Sequence, residues 1–392
     1  MAKRTEIAPC GERFSVATNV SQSRDDQASR GQAQTSAGTT AKPLNDWPES
    51  GLERLARCPI CESVERELAY DDLEDRVYRC APGRWTLWRC GECGSAYLDP
   101  RPTRATIGQA YATYFTHESP NTPPLSRWRQ RRAAARAAFL NHSYGYALET
   151  AGRRVPPWLS ERRRQRFEKY VAHLRYPGPG ARLLDVGCGN GKFLLQMKTL
   201  GWIVAGIDPD AHSVAAAQQA GLDVKLGTLD PTTAATEAFD AVVLNHTIEH
   251  AHDPLDLLRE CRRVLKPGGT LSIATPNVAA AGRRLYGRDW FPLDPPRHLV
   301  LFTPTSLRLA LRKTGFEPEP AIRLRLTATQ IFRGCEQLQH GGHPIELRPR
   351  ATWLRRLRTG LRAWAADRRI LRDPDLTDEL VQLARPRLPA PQ

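Results

Sequence analysis

The sequence predicts an α/β protein: a doubly wound, mostly parallel sheet preceded by a small cysteine-based module. Three observations carry this expectation. Between residues 181 and 274 short apolar runs alternate with helical patterns, the order that builds parallel strands joined by crossover helices. The first of these runs enters a glycine-rich turn, Leu183-Leu-Asp-Val-Gly-Cys-Gly-Asn-Gly191. Two C-x-x-C pairs, Cys58/Cys61 and Cys90/Cys93, stand well upstream with 28 residues between them.

Taken in order, residues 1–48 are rich in Ser, Thr, Gln, Ala and Asp without a hydrophobic period, the composition of a disordered tail. Residues 52–102 form the cysteine module. Four thiolates arranged as two C-x-x-C knuckles can surround Zn²⁺ tetrahedrally, so Cys58, Cys61, Cys90 and Cys93 are the expected ligands of a structural zinc ion. Strands are expected at Arg76–Arg79 and Trp85–Arg89. Cys80 ranks below the paired cysteines because it has no partner two residues away, and a lone thiol usually fills a buried gap. A redox reading of the pairs lacks the βαβ setting it needs.

Residues 103–176 read as a basic helical connector or lid, with patterns at Ala105–Phe115, Leu125–Leu140 and Trp158–Leu174. The net charge of +15 concentrates here, 15 basic against 4 acidic residues from Arg101 to Arg175, while the first 50 residues balance at 6 against 6. Such a surface attracts RNA, anionic head groups or nucleotide-linked substrates, or is merely a set of solvated helix faces; no aromatic-basic RNA module accompanies it. Met1-Ala-Lys-Arg-Thr-Glu6 leads into no apolar run, and nowhere do about 18 consecutive apolar residues occur to span a bilayer. The sequence therefore predicts a cytoplasmic protein with reduced thiols, placed, if peripheral, at the inner face of a membrane.

The main domain, 177–390, opens at Pro177-Gly-Pro-Gly180. Strands are expected at Ala181–Val186, Trp202–Ile207, Asp223–Leu226, Ala241–Asn245 and Thr270–Ala274, with Pro254 opening a helix that Lys266-Pro-Gly-Gly269 ends. A helix at Thr305–Lys313, a strand around Leu324–Ile331 and a last apolar run at Leu380–Ala384 follow. Between them lies an amphipathic helix over 351–372. At about 100° per residue Trp353, Leu354, Leu357, Leu361, Trp364 and Leu371 share one face and Arg355, Arg358, Arg362 and Arg369 another. Most such stripes pack on their own protein or on a second subunit, but Trp and Leu opposite arginine also suit a peripheral membrane contact.

In the turn, Gly187, Gly189 and Gly191 allow positive φ and close approach of a nucleotide-like cofactor, and Asp208, 23 positions after Asp185, ends the second strand where an acid can accept from ribose hydroxyls. The spacing G-x-G-x-G departs from the G-x-G-x-x-G of a pyrophosphate-binding turn. Together with Gly206-Ile-Asp208, Phe239-Asp-Ala-Val-Val-Leu-Asn-His-Thr-Ile-Glu-His250 and Val264-Leu-Lys-Pro-Gly-Gly269, the turn resembles the class I S-adenosylmethionine-dependent methyltransferases over roughly residues 150–390. Cys90-x-x-Cys93 running into Tyr97-Leu-Asp-Pro-Arg-Pro102 resembles the zinc-ribbon head of a bacterial subgroup.

The resemblance implies a seven-stranded, Rossmann-like methyltransferase sheet whose last strand is antiparallel and inserted between its neighbours. It also implies S-adenosyl-L-methionine as methyl donor. Gly187, Gly189 and Gly191 would line its methionine end, Asp208 the ribose, and Gly227, Thr228 and Leu229 the adenine, with Asn245 at the mouth of the fourth strand and Asp185 organising the turn. An alcohol or carbon acid as acceptor needs proton removal, which histidine performs near neutral pH. His298, in Asp294-Pro-Pro-Arg-His-Leu299, is the preferred base with Arg297 as an anchor for an anionic acceptor; His246 is the alternative and His250 the structural member. A metal cluster of Glu249, His250 and His252 lacks a second group to complete it. The expected function is methyl transfer to a small or carrier-linked acceptor such as a sugar, polysaccharide precursor or secondary metabolite. The competing readings are an RNA methyltransferase and a silent zinc-ribbon binding protein.

Overall fold

A computed structural model of the chain describes residues 47–111, 127–150, 152–155, 159–322, 324, 328–342 and 353–387. The expected tail through residue 46, part of the connector and the first two residues of the amphipathic segment lie outside them.

The cysteine module is built from β1 (Leu52–Glu53), β2 (Arg66–Leu73), β3 (Trp85–Cys90), β4 (Ala96–Leu98) and β5 (Arg101–Pro102). Strands β2, β3 and β4 form an antiparallel sheet, and β1 pairs with β5. The strand expected at Arg76–Arg79 is instead a turn. The Asp75 carboxylate accepts from the backbone N–H groups of Tyr78, Cys80 and Ala81, which curls the chain and removes those donors from any ladder. The strand pairing with β3 lies earlier, at β2.

In the connector, Ile107–Tyr111 forms a 3₁₀ turn, and the rest of that expected helix lies outside the described residues. α1 (Arg127–Tyr144) and α2 (Glu161–Tyr170) follow. Their Phe139, Leu140 and Phe167 pack with Leu183, Met197 and Trp202 on one face of the main sheet.

That sheet comprises β6 (Arg182–Val186), β7 (Ile203–Asp208), β8 (Val224–Leu226), β9 (Phe239–Asn245) and β10 (Leu265–Pro276), with α3 (Lys192–Thr199), α4 (Ala211–Gln219) and α5 (Pro254–Val264) as crossovers. After α6 (Ala281–Tyr286), a short β11 (Val300–Leu301) leaves the sheet to pair with β4 of the cysteine module. α7 (Pro304–Lys313), β12 (Phe316–Pro318), α8 (Ala328–Gln339), α9 (Trp353–Arg372) and β13 (Glu379–Pro386) complete the chain. The seven strands run in the order β12-β13-β10-β9-β6-β7-β8. Strand β13 is antiparallel to both β10 and β12, and the remaining pairings are parallel. Alternation fixes the two faces: Leu183 and Val243 join the core under α1–α4, while Leu184, Val242 and Leu244 join the core shared with α5, α7 and the cysteine module.

Helix starts follow local chemistry. Asp210 accepts from the N–H groups of His212 and Ser213 to cap α4, Asp253 caps α5 ahead of Pro254, and Thr303 with Ser306 forms a capping box on α7. Helix α5 ends at Val264, just ahead of Lys266–Gly269 as expected, and that segment itself belongs to the next strand. It is a bulge inside β10, where Gly268 at φ 77° lets the register with β9 shift between Leu265 and Thr270. Of the strand expected at Leu324–Ile331, residues 328–331 are instead helical, and residues 325–327 lie outside the described residues. The sixth strand of the main sheet in chain order is β12, released from α7 by Gly315 at φ 83°, and residues 328–339 are helical because Ala328, Phe332, Cys335 and Leu338 recur at helical spacing and are buried together.

Helix α9 forms as expected, but its large apolar face does not pack on the sheet. The buried residues are Thr359, Ala363, Ala366 and Ile370, whereas Trp353, Leu354, Leu357, Leu361, Trp364 and Leu371 are 51–71% exposed.

Candidate active site and cysteine cluster

On the donor side the chain leaves β6 through three left-handed glycines, Gly187 at φ 75°, Gly189 at φ 51° and Gly191 at φ 76°. A Cβ on Gly187 would lie 2.6 Å from Thr247 Oγ1, and one on Gly191 2.3 Å from Leu222 Cδ1, so no other residue fits either place. Asp208 ties the turn to the end of β7: its Oδ2 accepts from Gly189 N at 2.7 Å and its Oδ1 from Asp210 N at 2.9 Å. Each oxygen keeps a lone pair for a further donor. Asp185 is buried at the end of β6 and its Oδ1 has no hydrogen-bond partner among the described residues. Burial, and then the charge of Asp208, push its carboxyl up to about 8. Burial also raises Asp208, against the pull of the two backbone N–H groups. Gly227, whose N–H binds Asp208 O at 2.9 Å, has open space where a Cβ would stand; Thr228 and the buried Leu229 follow it. Asn245 ends β9, exposed and in register with Ala274. A narrow cradle beside an unpaired carboxyl oxygen and a second acid with spare lone pairs fits a nucleoside carrying ribose hydroxyls.

The acceptor side is assembled from distant segments. His246, at φ 55°, is gripped at both nitrogens, with Nδ1 3.2 Å from Glu249 Oε1 and Nε2 2.9 Å from Glu379 Oε1. Lys169 of α2 donates to both oxygens of Glu379 at 2.8 and 2.6 Å, and Thr275 Oγ1 donates to Glu249 Oε2 at 2.9 Å. Burial opposes charge on the imidazole, but the hydrogen bonds and charges of the two glutamates outweigh it and lift His246 to about 10. Burial likewise opposes ionisation of Glu249 and Glu379, and His246, with Lys169 for Glu379, holds each at about 2. The two glutamates thus favour the charged form of His246, whose side chain is still 45% exposed, so that burial opposes the charge only weakly.

His250 and His298 are held differently. His250 Nδ1 donates to Arg297 O at 2.9 Å, with Tyr111 Oη 3.0 Å from the same nitrogen, and His298 Nδ1 donates to Pro292 O at 2.7 Å. A carbonyl only accepts, so each ring carries a proton on Nδ1, and Nε2 is the nitrogen left without a carbonyl partner. The rings meet edge to face at 4.8 Å, and His298 Nε2 stands 4.0 Å from Asp294 Oδ2. Burial, and then the neighbouring His298, lower His250 to about 4, which keeps it neutral. One ligand atom each from Glu249, His250 and His298 lies within 4.8 Å of the others, so the group that completes this cluster is His298 and not His252, whose Nε2 lies 2.9 Å from Pro102 O.

Arg297 cannot anchor an acceptor. It is fully buried, and its guanidinium is spent on Asp294 (3.0 and 2.6 Å), on both oxygens of Asp75 and on Ala110 O at 2.9 Å. It staples the cysteine module to the loop bearing His298. Sequence reasoning missed Glu379, Lys169, Thr275 and Tyr111, none of which lies in a motif.

In the cysteine module each knuckle closes on a backbone turn: Cys58 N binds Ser63 O and Cys90 N binds Ser95 O, both at 2.9 Å. The sulfurs of Cys58 and Cys93 stand 3.7 Å apart and those of Cys61 and Cys90 3.4 Å, too far for disulfides. Four sulfurs at about 2.3 Å from one zinc ion would stand roughly 3.8 Å from one another, so the cluster fits a tetrahedral site. Cys80 lies apart, its Sγ 3.3 Å from Ala110 O.

A parallel sheet with this glycine turn, a second-strand acid and an antiparallel last strand defines a nucleoside-cofactor fold of the methyltransferase type. The methyltransferase domain family matches residues 159–321. The Ubiquinone biosynthesis O-methyltransferase of Dinoroseobacter shibae is 33% identical over 170 residues, 40% of this chain and 68% of that one. Its namesake from Cereibacter sphaeroides is 36% identical over 155 residues, and the chain spans 62% of that protein's length. The chain belongs to the S-adenosylmethionine-dependent methyltransferases. A solved S-adenosylmethionine-dependent methyltransferase from Mesorhizobium loti is similar at 20% identity and a TM-score of 0.37, covering 56% of this chain and 96% of that one.

Proposed function

We propose that the chain transfers the methyl group of S-adenosylmethionine to a hydroxyl of a small or carrier-linked acceptor. The observation that carries this reading is the pair of imidazoles, His250 and His298, each held through Nδ1 by a backbone carbonyl so that Nε2 is the nitrogen turned to other partners. The curated relatives named O-methyltransferases support oxygen as the methylated atom.

Bound in the cradle of Gly187, Gly189 and Gly191, with Asp208 on its ribose, the sulfonium cofactor supplies an activated methyl group. The protein's remaining tasks are orientation and proton removal. His298 Nε2 takes the hydroxyl proton of the acceptor as the new carbon–oxygen bond forms and the sulfur–methyl bond breaks, with Asp294 Oδ2 4.0 Å from that same nitrogen to stabilise the imidazolium. His246, already charged, positions Glu249 and Glu379 and presents its exposed edge to an electron-rich acceptor. Cys58, Cys61, Cys90 and Cys93 hold a structural zinc ion, for which the expected finding is one equivalent in the purified protein.

The test is incubation with methyl-labelled donor and, separately, small-molecule, lipid and RNA fractions of the host. Label entering a hydroxylated small molecule or a lipid-linked glycan supports the reading. Label entering RNA alone overturns it.

A further inference from the structure

We infer that α9 lies flat on an anionic membrane surface, with its tryptophan and leucine face inserted between head groups. This does not depend on the reaction proposed above. The helix carries two stripes. Its small residues, Thr359, Ala363 and Ala366, with Ile370, are buried, and Thr359 and Arg362 bind Glu336 of α8. Roughly opposite, Trp353, Leu354, Leu357, Leu361, Trp364 and Leu371 are each more than half exposed. A helix that docks through small residues and leaves its large ones outside reverses the usual arrangement, and a contiguous exposed apolar stripe marks a contact surface.

The charges decide what that contact is. The helix holds seven arginines against one acid, Asp367. Arg355, Arg358 and Arg369 are exposed beside the stripe, and Arg368 stacks over the Trp364 ring at 4.2 Å. Arg162 of α2, 3.7 Å from Asp367, extends the basic surface. A second copy of this chain would meet the stripe with the same positive rim, and the whole chain carries +15. An RNA would satisfy the arginines but leave four leucines against water. An anionic lipid surface takes both: leucine and tryptophan side chains enter the acyl boundary while arginines reach phosphate. No described helix is long and apolar enough to cross the bilayer, which agrees with a helix lying in its surface. Since α9 leads through a short 3₁₀ turn, Pro374–Leu376, to Glu379, the membrane plane would run beside the acceptor side of the site.

Sedimentation of the full chain with vesicles of phosphatidylcholine alone, or with 30% phosphatidylglycerol (about one anionic head group in three), tests this. Binding to the anionic vesicles only, a blue shift of tryptophan emission that Trp353→Phe/Trp364→Phe abolishes, and at least about a tenfold loss of binding in Leu357→Asp/Leu361→Asp are expected. Circular dichroism and an unchanged melting temperature confirm that the double variant still folds. Three results would overturn the inference: no pelleting with anionic vesicles at low salt, pelleting that Leu357→Asp/Leu361→Asp leaves intact, or a lipid-free dimer by light scattering that the same variant converts to monomer.

Discussion

The two halves of the site are made in opposite ways. The donor half is local main chain: Gly187, Gly189 and Gly191 lie within five residues of one another, and Asp208 meets them across adjacent strands. The acceptor half is side chain gathered from afar. Lys169, His246, Glu249, Thr275, His298 and Glu379 arrive from five segments, with Arg297 fastening the loop that carries one of them to Asp75. A backbone cradle tolerates change around it as long as the glycines remain. A side-chain network depends on every element that delivers a member.

The largest effect should come from the fastening. Replacing Arg297 by Met strands two buried carboxylates, Asp75 and Asp294, and should destabilise the chain by about 3–5 kcal/mol in urea unfolding. An unchanged unfolding midpoint would show that the acceptor half does not depend on this link. Next, His298→Ala should lower turnover by about 10² or more while calorimetric donor affinity stays put. If turnover survives and His250→Ala abolishes it, the base is the other ring of the pair. A smaller change is expected on the donor side, where Asp208→Ala should weaken donor binding by about 1.5–3 kcal/mol, the range for hydrogen bonds to a charged group. Equal affinity in the variant would separate Asp208 from the ribose.

A further test concerns pH. His246 is raised in the folded state to about 10, so the stability it contributes is complete below its unfolded value near 6.5 and is lost as pH rises through about 10. Glu249 and Glu379, depressed to about 2, contribute above the ordinary carboxylate range and lose that stability as pH falls toward 2. Thermal melts from pH 6.5 to 10 should therefore fall more steeply for the wild type than for His246→Gln, and parallel curves would mean that the imidazolium clamp is absent.

The same contrast explains what the sequence made legible. The inserted antiparallel β13 was implied by the methyltransferase resemblance, whereas the glycine turn, Asp208 and the succession of β6 to β10 follow from residues close together in the chain, where each local signal has one structural solution. The four cysteines were legible for the same reason. Residues 328–331 were misread because Leu324 and Ile331 mimic a short buried strand, while the helical recurrence of Phe332, Cys335 and Leu338 extends beyond that window. Glu379 carried no signal, since an acid at the start of a strand acquires meaning only when His246 is folded against it. Arg297 appeared to be a free cation because its partner Asp75 lies more than 200 positions away.

Strand β11 makes the cysteine module a composite object. Its sheet borrows Val300 and Leu301, Leu98 N binds Leu299 O at 3.1 Å, and Thr303 Oγ1 donates to Cys93 O at 3.2 Å. The head is consequently not a cassette. A splice that exchanged residues 52–102 for another ribbon would transplant three strands and leave the fourth behind, along with the guanidinium that closes the seam. Heads and acceptor loops of this architecture should be inherited together, and a chimera that keeps both activity and fold must carry its crossover points on either side of residues 294–303 as well.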